Sequence, residues 1–76
     1  MKFERIRNLR EDNDYKQIQV AGYLCVKQST YSDYENGNIN IPIEAFIKLA
    51  NYYNTSVDYL LGLTDNPSPY ERIRTK

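Results

Sequence analysis

The apolar residues of this chain recur three and four positions apart, in short segments broken by polar or turn-forming residues, with no strand-like alternation. That spacing gathers them on one side of a helix, and helices this short persist only by packing on one another. Phe3, Ile6 and Leu9 predict a first helix over 2–12, ending in polar EDND. Val20, Ala21 and Leu24 predict a second over 17–24, and Tyr31 and Tyr34 a third over 28–35. ENGNINIP reads as a loop, since Asn and Gly tolerate left-handed backbone and Pro42 suits the first turn of a helix. Phe46, Ile47, Leu49, Ala50 and Tyr53 place that fourth helix at 42–53, with Asn54 where a left-handed residue ends it. Ser56 is placed to cap a fifth helix over 57–61, which Gly62 closes. The expected fold class is all-α, with one domain over 1–64 and DNPSPYERIRTK (65–76) as a tail. The core is expected to unite Leu24, Val26, Tyr31, Tyr34, Phe46, Leu49, Ala50 and Leu60.

A chain of 76 residues has room for one core. Its single Cys and lack of His exclude an internal disulfide and a Cys/His metal cluster, so no metal is expected. Without His, a glycine-rich phosphate loop or a carboxylate pair with a reason for a perturbed pKa, an enzyme is the least supported class, and no cofactor is implied. The chain begins with Met1 and holds no apolar run long enough for a signal peptide or membrane span, so a cytoplasmic protein with no membrane partner is expected. Ten basic residues balance ten acidic ones, and residues 1–38 hold six of each. Charge alone therefore argues against a nucleic-acid partner.

The third helix argues the other way. At 100° per residue, Tyr31 and Tyr34 share one side while Gln28, Ser29, Ser32, Asp33 and Asn36 share the opposite one. A solvated helix face ordinarily carries long Lys and Glu, which favour helix, whereas Ser and Asn disfavour it. Such a face is either a plain polar surface or one built to hydrogen-bond in a groove.

Gln17, Ala21, Leu24, Val26, Tyr31 and Tyr34 stand at helix-turn-helix spacing, followed by YENG (34–37), Ala50, Ser56 and VDYLLG (57–62). On these residues, positions 5–62 resemble the phage-repressor, Cro-like helix-turn-helix family, often called XRE-like. The resemblance implies a compact five-helix, lambda-repressor-like DNA-binding domain with the helix-turn-helix at helices 2 and 3. The third helix would enter the major groove of double-stranded DNA, usually as a homodimer on a near-palindromic operator. It implies base contacts from Gln28, Ser29, Ser32 and Asp33, and backbone contacts from Gln17, Lys27, Asn36, Asn38 and Asn40. Arg10 and Glu35 match a pair that ties the first helix to the end of the third. Transcriptional regulation, more often repression, is the implied role.

Three residues depart from the family pattern. Cys25 holds a corner that usually carries Gly, where positive φ costs a side chain about 1–2 kcal/mol. Lys27 stands in place of a Ser or Thr cap and cannot accept the cap hydrogen bond, but puts a cation at the groove edge. The NINI loop is neutral where the family is often basic, so Asn38 and Asn40 would bind phosphate without releasing counterions. Leu60, Leu61 and Leu63 cannot all face inward from so short a helix and are the expected dimer contact. Ile18 and Tyr23 mark a candidate site for an additional protein partner. The neutral charge and NINI loop keep a rival reading open: a protein-interaction module, antitoxin-like or adaptor.

Overall fold

A computed structural model describes residues 3–70. Five helices follow one another: α1 (Glu4–Asp12), α2 (Gln17–Leu24), α3 (Gln28–Asn36), α4 (Ile43–Tyr52) and α5 (Val57–Leu61), with no strand among the described residues. Helix ends follow local chemistry. Pro42 is extended at ψ 149° and flanks α4 instead of opening it, while its carbonyl accepts from the Ala45 amide at 3.0 Å. Left-handed Asn54 (φ 53°) turns the chain out of α4, and the Ser56 hydroxyl then accepts from the Tyr59 amide at 3.0 Å to cap α5. Gly37 and Gly62, both at positive φ, end α3 and α5. Asp14 also takes left-handed geometry (φ 58°), between α1 and α2.

The core joins one face from every helix: Ile6, Val20, Ala21, Leu24, Tyr31, Tyr34, Ala45, Phe46, Leu49, Ala50 and Leu60. Val26, expected among them, is half-buried at the turn and packs against the core's edge. Phe3 meets Phe46 edge-on at 5.2 Å, fastening the start of α1 to α4. Tyr23 stacks on Tyr52 at 4.2 Å, and Tyr15 lies 5.2 Å from Tyr52, fastening α2 to the end of α4. One face of Tyr23 is therefore covered within the domain, and Ile18, 58% exposed, is the more open of the two residues expected to mark a partner site.

The leucine cluster needs a correction. Leu60 is 1% exposed and lies in the core, so it offers no surface to a second copy. Leu61 is half-buried against the core, and Leu63, past Gly62, is 73% exposed. A one-turn helix can turn only one of these side chains fully inward, and that one is Leu60.

Between α5 and residue 70 the chain has no regular structure, yet it is fastened down. Arg5 donates to the carbonyls of Tyr59 (2.9 Å) and Thr64 and to Asp65 Oδ1 (2.7 Å), and its guanidinium lies 4.1 Å from the centre of the Tyr59 ring. Buried Thr55 donates to the Pro67 carbonyl at 2.6 Å, and Tyr70 donates to Asp58 Oδ2 at 2.8 Å. Residues 71–76, the rest of the expected tail, lie outside the described residues. Arg5→Ala removes hydrogen bonds from a charged donor and is expected to cost about 1–3 kcal/mol in denaturant melts. Asp65→Ala, at a fully exposed partner, is expected to cost much less. Equal losses in the two variants would show that the backbone contacts of Arg5 contribute nothing.

Candidate nucleic-acid interface

Helices α2 and α3 meet at a corner made by Cys25 and Val26. Cys25 takes the left-handed conformation (φ 59°, ψ 39°), and its amide donates to the Gly22 carbonyl at 3.2 Å. The Val26 amide donates to the Ala21 carbonyl at 3.0 Å, so two carbonyls at the end of α2 are satisfied as the chain reverses. Lys27 precedes α3 in extended geometry and makes no side-chain cap. Lys16 holds the same place before α2, where its amide donates to Gln19 Oε1 at 2.7 Å. The sequence reading missed that role for Gln19, although a Gln three residues into a helix is a known signal for it.

The angle of α3 against the domain is set by a buried polar cluster. Arg10 Nε donates to Glu35 Oε2 at 2.6 Å and its Nη2 to Glu35 Oε1 at 3.1 Å, a two-pronged pair, while Nη1 donates to the Tyr15 carbonyl at 3.0 Å. The side chains are 13% and 2% exposed, so solvent screens this pair little. Burial pushes the Glu35 carboxyl up, but Arg10, with the Tyr31 hydroxyl and Gln17 amide also facing it, outweighs burial and holds it below its ordinary value. The hydrogen bond to Glu35 in turn raises Arg10. Burial, reinforced by the Glu35 carboxylate, holds the Tyr31 phenol protonated far above its usual range.

Gln17 belongs to this cluster: its Nε2 donates to Glu35 Oε1 at 3.2 Å, and the side chain is half-buried. Its second amide hydrogen and the main-chain N–H groups of Gln17 and Ile18 have no partner among the described residues.

The outer side of α3 divides in two. Lys27, Gln28 and Ser29 are exposed, and their side chains have no hydrogen-bond partner among the described residues. Further along, Ser32 and Asp33 are half-buried and engaged: Asn36 Nδ2 donates to Ser32 Oγ, and Asn38 Nδ2 to Asp33 Oδ1, each at 3.3 Å. Asn36, Asn38 and Asn40 are all exposed. Asp33 makes no ion pair with Lys27.

The exposure of two apolar residues on α4 was not anticipated from the sequence. Ile43 and Ile47, one turn apart on α4, are 71% and 49% exposed. Ile47 lines a recess of about 160 Å³ together with Ala50, Val57 and Tyr70. Their phase gave the signal, since Phe46, Leu49 and Ala50 already fill the inward face and leave Ile43 and Ile47 outside it.

Removing the Glu35 carboxylate strands a largely buried Arg10, so Glu35→Ala is expected to cost roughly 3–5 kcal/mol in denaturant melts. A loss of about 0–1 kcal/mol, the range of an exposed pair, would show the cluster to be solvated. Because Glu35 is held below the ordinary 4.5, its stabilisation is present above that value and lost as pH falls through the folded-state pKa. Glu35→Gln is therefore expected to flatten the acid limb of a stability–pH curve.

No helix among the described residues is long and apolar enough to cross a membrane. Residues 6–60 match the family model described as helix-turn-helix. The chain is similar to an uncharacterized HTH-type transcriptional regulator of Bacillus subtilis, YobD, with 38% identity over 87% of this chain and 59% of the relative. It is 34% identical to the HTH-type transcriptional regulator ImmR of the same organism, over 78% of this chain and 46% of the relative. It is 35% identical to the cryptic phage CTXphi transcriptional repressor RstR of Vibrio cholerae, over 76% of this chain and 52% of the relative. The chain thus spans about half the length of the curated relatives it matches. No solved structure matches it significantly. A left-handed corner between two short helices, a third helix pinned through Glu35, and a match over residues 6–60 lead to one assignment: the chain belongs to the XRE-like helix-turn-helix family of transcriptional regulators.

Proposed function

We propose that this domain binds double-stranded DNA sequence-specifically and regulates transcription as a repressor, with α3 lying in the major groove. The observation that carries the proposal is the pairing of rigidity with available chemistry. The Arg10–Glu35–Gln17 cluster fixes α3, and exposed Gln28 and Ser29 keep their donors and acceptors for an outside partner. Hydrogen bonds of this kind discriminate between bases, while cations supply affinity for any sequence. The similarity to a phage repressor favours repression. A DNA partner would also place the protein in the cytoplasm.

Cations are scarce at this surface. Arg5, Arg7 and Arg10 are tied to carboxylates, whereas Lys16 and Lys27, which precede α2 and α3, have no ion pair among the described residues. Two phosphate contacts per copy release few counterions, so one copy would bind weakly. A homodimer on a near-palindromic operator doubles those contacts, with exposed Leu63 and half-buried Leu61 proposed at the contact between copies.

Fluorescence-anisotropy titrations of labelled duplexes at several salt concentrations test the binding. Lys27→Ala is expected to weaken specific and scrambled duplex by the same factor and to reduce the salt slope by about 0.9 per copy. An unchanged slope would remove Lys27 from the interface, and no binding at low salt would overturn the proposal. Sedimentation of the complex is expected to give two copies per site, their recognition helices about 34 Å apart. One copy on a site without two-fold symmetry would overturn the dimer.

A further inference from the structure

Asp33 is the one acidic side chain on the outer side of α3, and near DNA a carboxylate is repelled by phosphate. Its surroundings show what it is prepared for. No cation among the described residues pairs with it: its side-chain partner there is the neutral amide of Asn38, which donates to Oδ1 at 3.3 Å. Asn38 is itself held in register, because left-handed Gly37 (φ 75°) turns the chain and the Asn38 amide donates to the Asp33 carbonyl at 3.0 Å. The two residues are thus joined twice, once through main chain and once through side chains. One carboxylate oxygen is fixed, and Oδ2 has no partner among the described residues.

Each base pair presents a different set of groups along the major groove. Guanine offers two acceptors, thymine an acceptor and a methyl group, and adenine an acceptor beside its amino donor. Within the pair, the cytosine amino donor is flanked by C5–H on one side and the guanine O6 on the other, whereas the adenine amino donor lies between two acceptors, its own N7 and thymine O4. A fixed carboxylate with one unengaged oxygen is repelled by the first two and meets an unfavourable acceptor at the third. The cytosine amino group is thus the one donor a carboxylate can approach from a side free of acceptors.

Resting on the DNA-binding reading above, we propose that Asp33 selects a C·G pair by accepting a hydrogen bond from the cytosine N4 amino group, and that Asn38 is the residue that positions it. Asn38 then acts through Asp33 and does not serve as a phosphate contact. The repulsion that Asp33 exerts on every duplex is offset only where that cytosine lies beneath it, so its charge sharpens discrimination while lowering general affinity.

The experiment selects bound duplexes from a random library with the unaltered protein, Asp33→Asn and Asn38→Ala. Affinities are then measured on the selected site, on the site changed at one base pair, and on scrambled duplex at one salt. Circular dichroism confirms that each variant is folded. The unaltered protein is expected to select cytosine at one fixed position of each half-site. Asp33→Asn should lose roughly 5- to 150-fold of that preference, the range of a direct base contact, and shift it toward adenine, which Asn bonds in two places. Its affinity for scrambled duplex should rise. Asn38→Ala should lose a smaller part of the preference at that same position, with scrambled affinity unchanged. If Asn38→Ala instead weakens every duplex equally, Asn38 is a phosphate contact and its positioning role is overturned. If Asp33→Asn raises all affinities by one factor, the base assignment is overturned although DNA binding stands. If the unaltered protein selects nothing, the DNA-binding reading falls and takes this inference with it.

Discussion

Glu35 puts a carboxylate inside a domain with little interior in which to hide it. Left alone, a charge so placed costs several kcal/mol, which is a large share of what a small domain has. Arg10 from α1 and Gln17 from α2 converge on it, with the Tyr31 hydroxyl of α3 facing it. The first three helices therefore cannot shift independently, because any slip exposes an unmet charge. Apolar packing alone would hold α3 in the domain but tolerate small rotations. The directional pair removes that tolerance, and a rotation of a fraction of a turn would redirect every side chain on the outer face of α3.

Helix positions were legible in the sequence because caps and apolar spacing are local. Ser56, Gly37 and Gly62 act on their own neighbours, so α5 lies where its caps place it and α2 where periodicity does. The boundaries that moved are those where one residue can serve on either side of a helix end, such as Pro42, Tyr53 and Asn36. The arrangement around Gln17 was not legible. Its direction depends on where α3 brings Glu35, 18 positions further along the chain. Which leucine of three turns inward depends likewise on where α1 and α4 meet α5, and no periodicity can be defined over one turn. Asn38 looked like a loop residue available to phosphate, and its tie to Asp33 exists only because Gly37 reverses the chain.

The zero net charge looked like an argument against DNA, yet a count of charges ignores what each one is doing. The arginines of α1 are engaged inside the molecule, two of them with backbone carbonyls as well as carboxylates. Among the described residues that leaves Lys48 on α4 and the lysines before α2 and α3, where helix N-termini add partial positive charge of their own. Such an arrangement gives weak attraction to nucleic acid in general and leaves choice of sequence to hydrogen bonds.

The fastening of residues 64–70 has a mechanical consequence. Tension entering at the C-terminal side meets Tyr70 on Asp58 first, then Pro67 on Thr55, then Thr64 and Asp65 on Arg5. These anchors lie on α5, on the stretch before it and on α1, so a pull is shared among them before it reaches α3. None of these ties lies on α3, so the helix that faces outward is held by other contacts than those that hold residues 64–70.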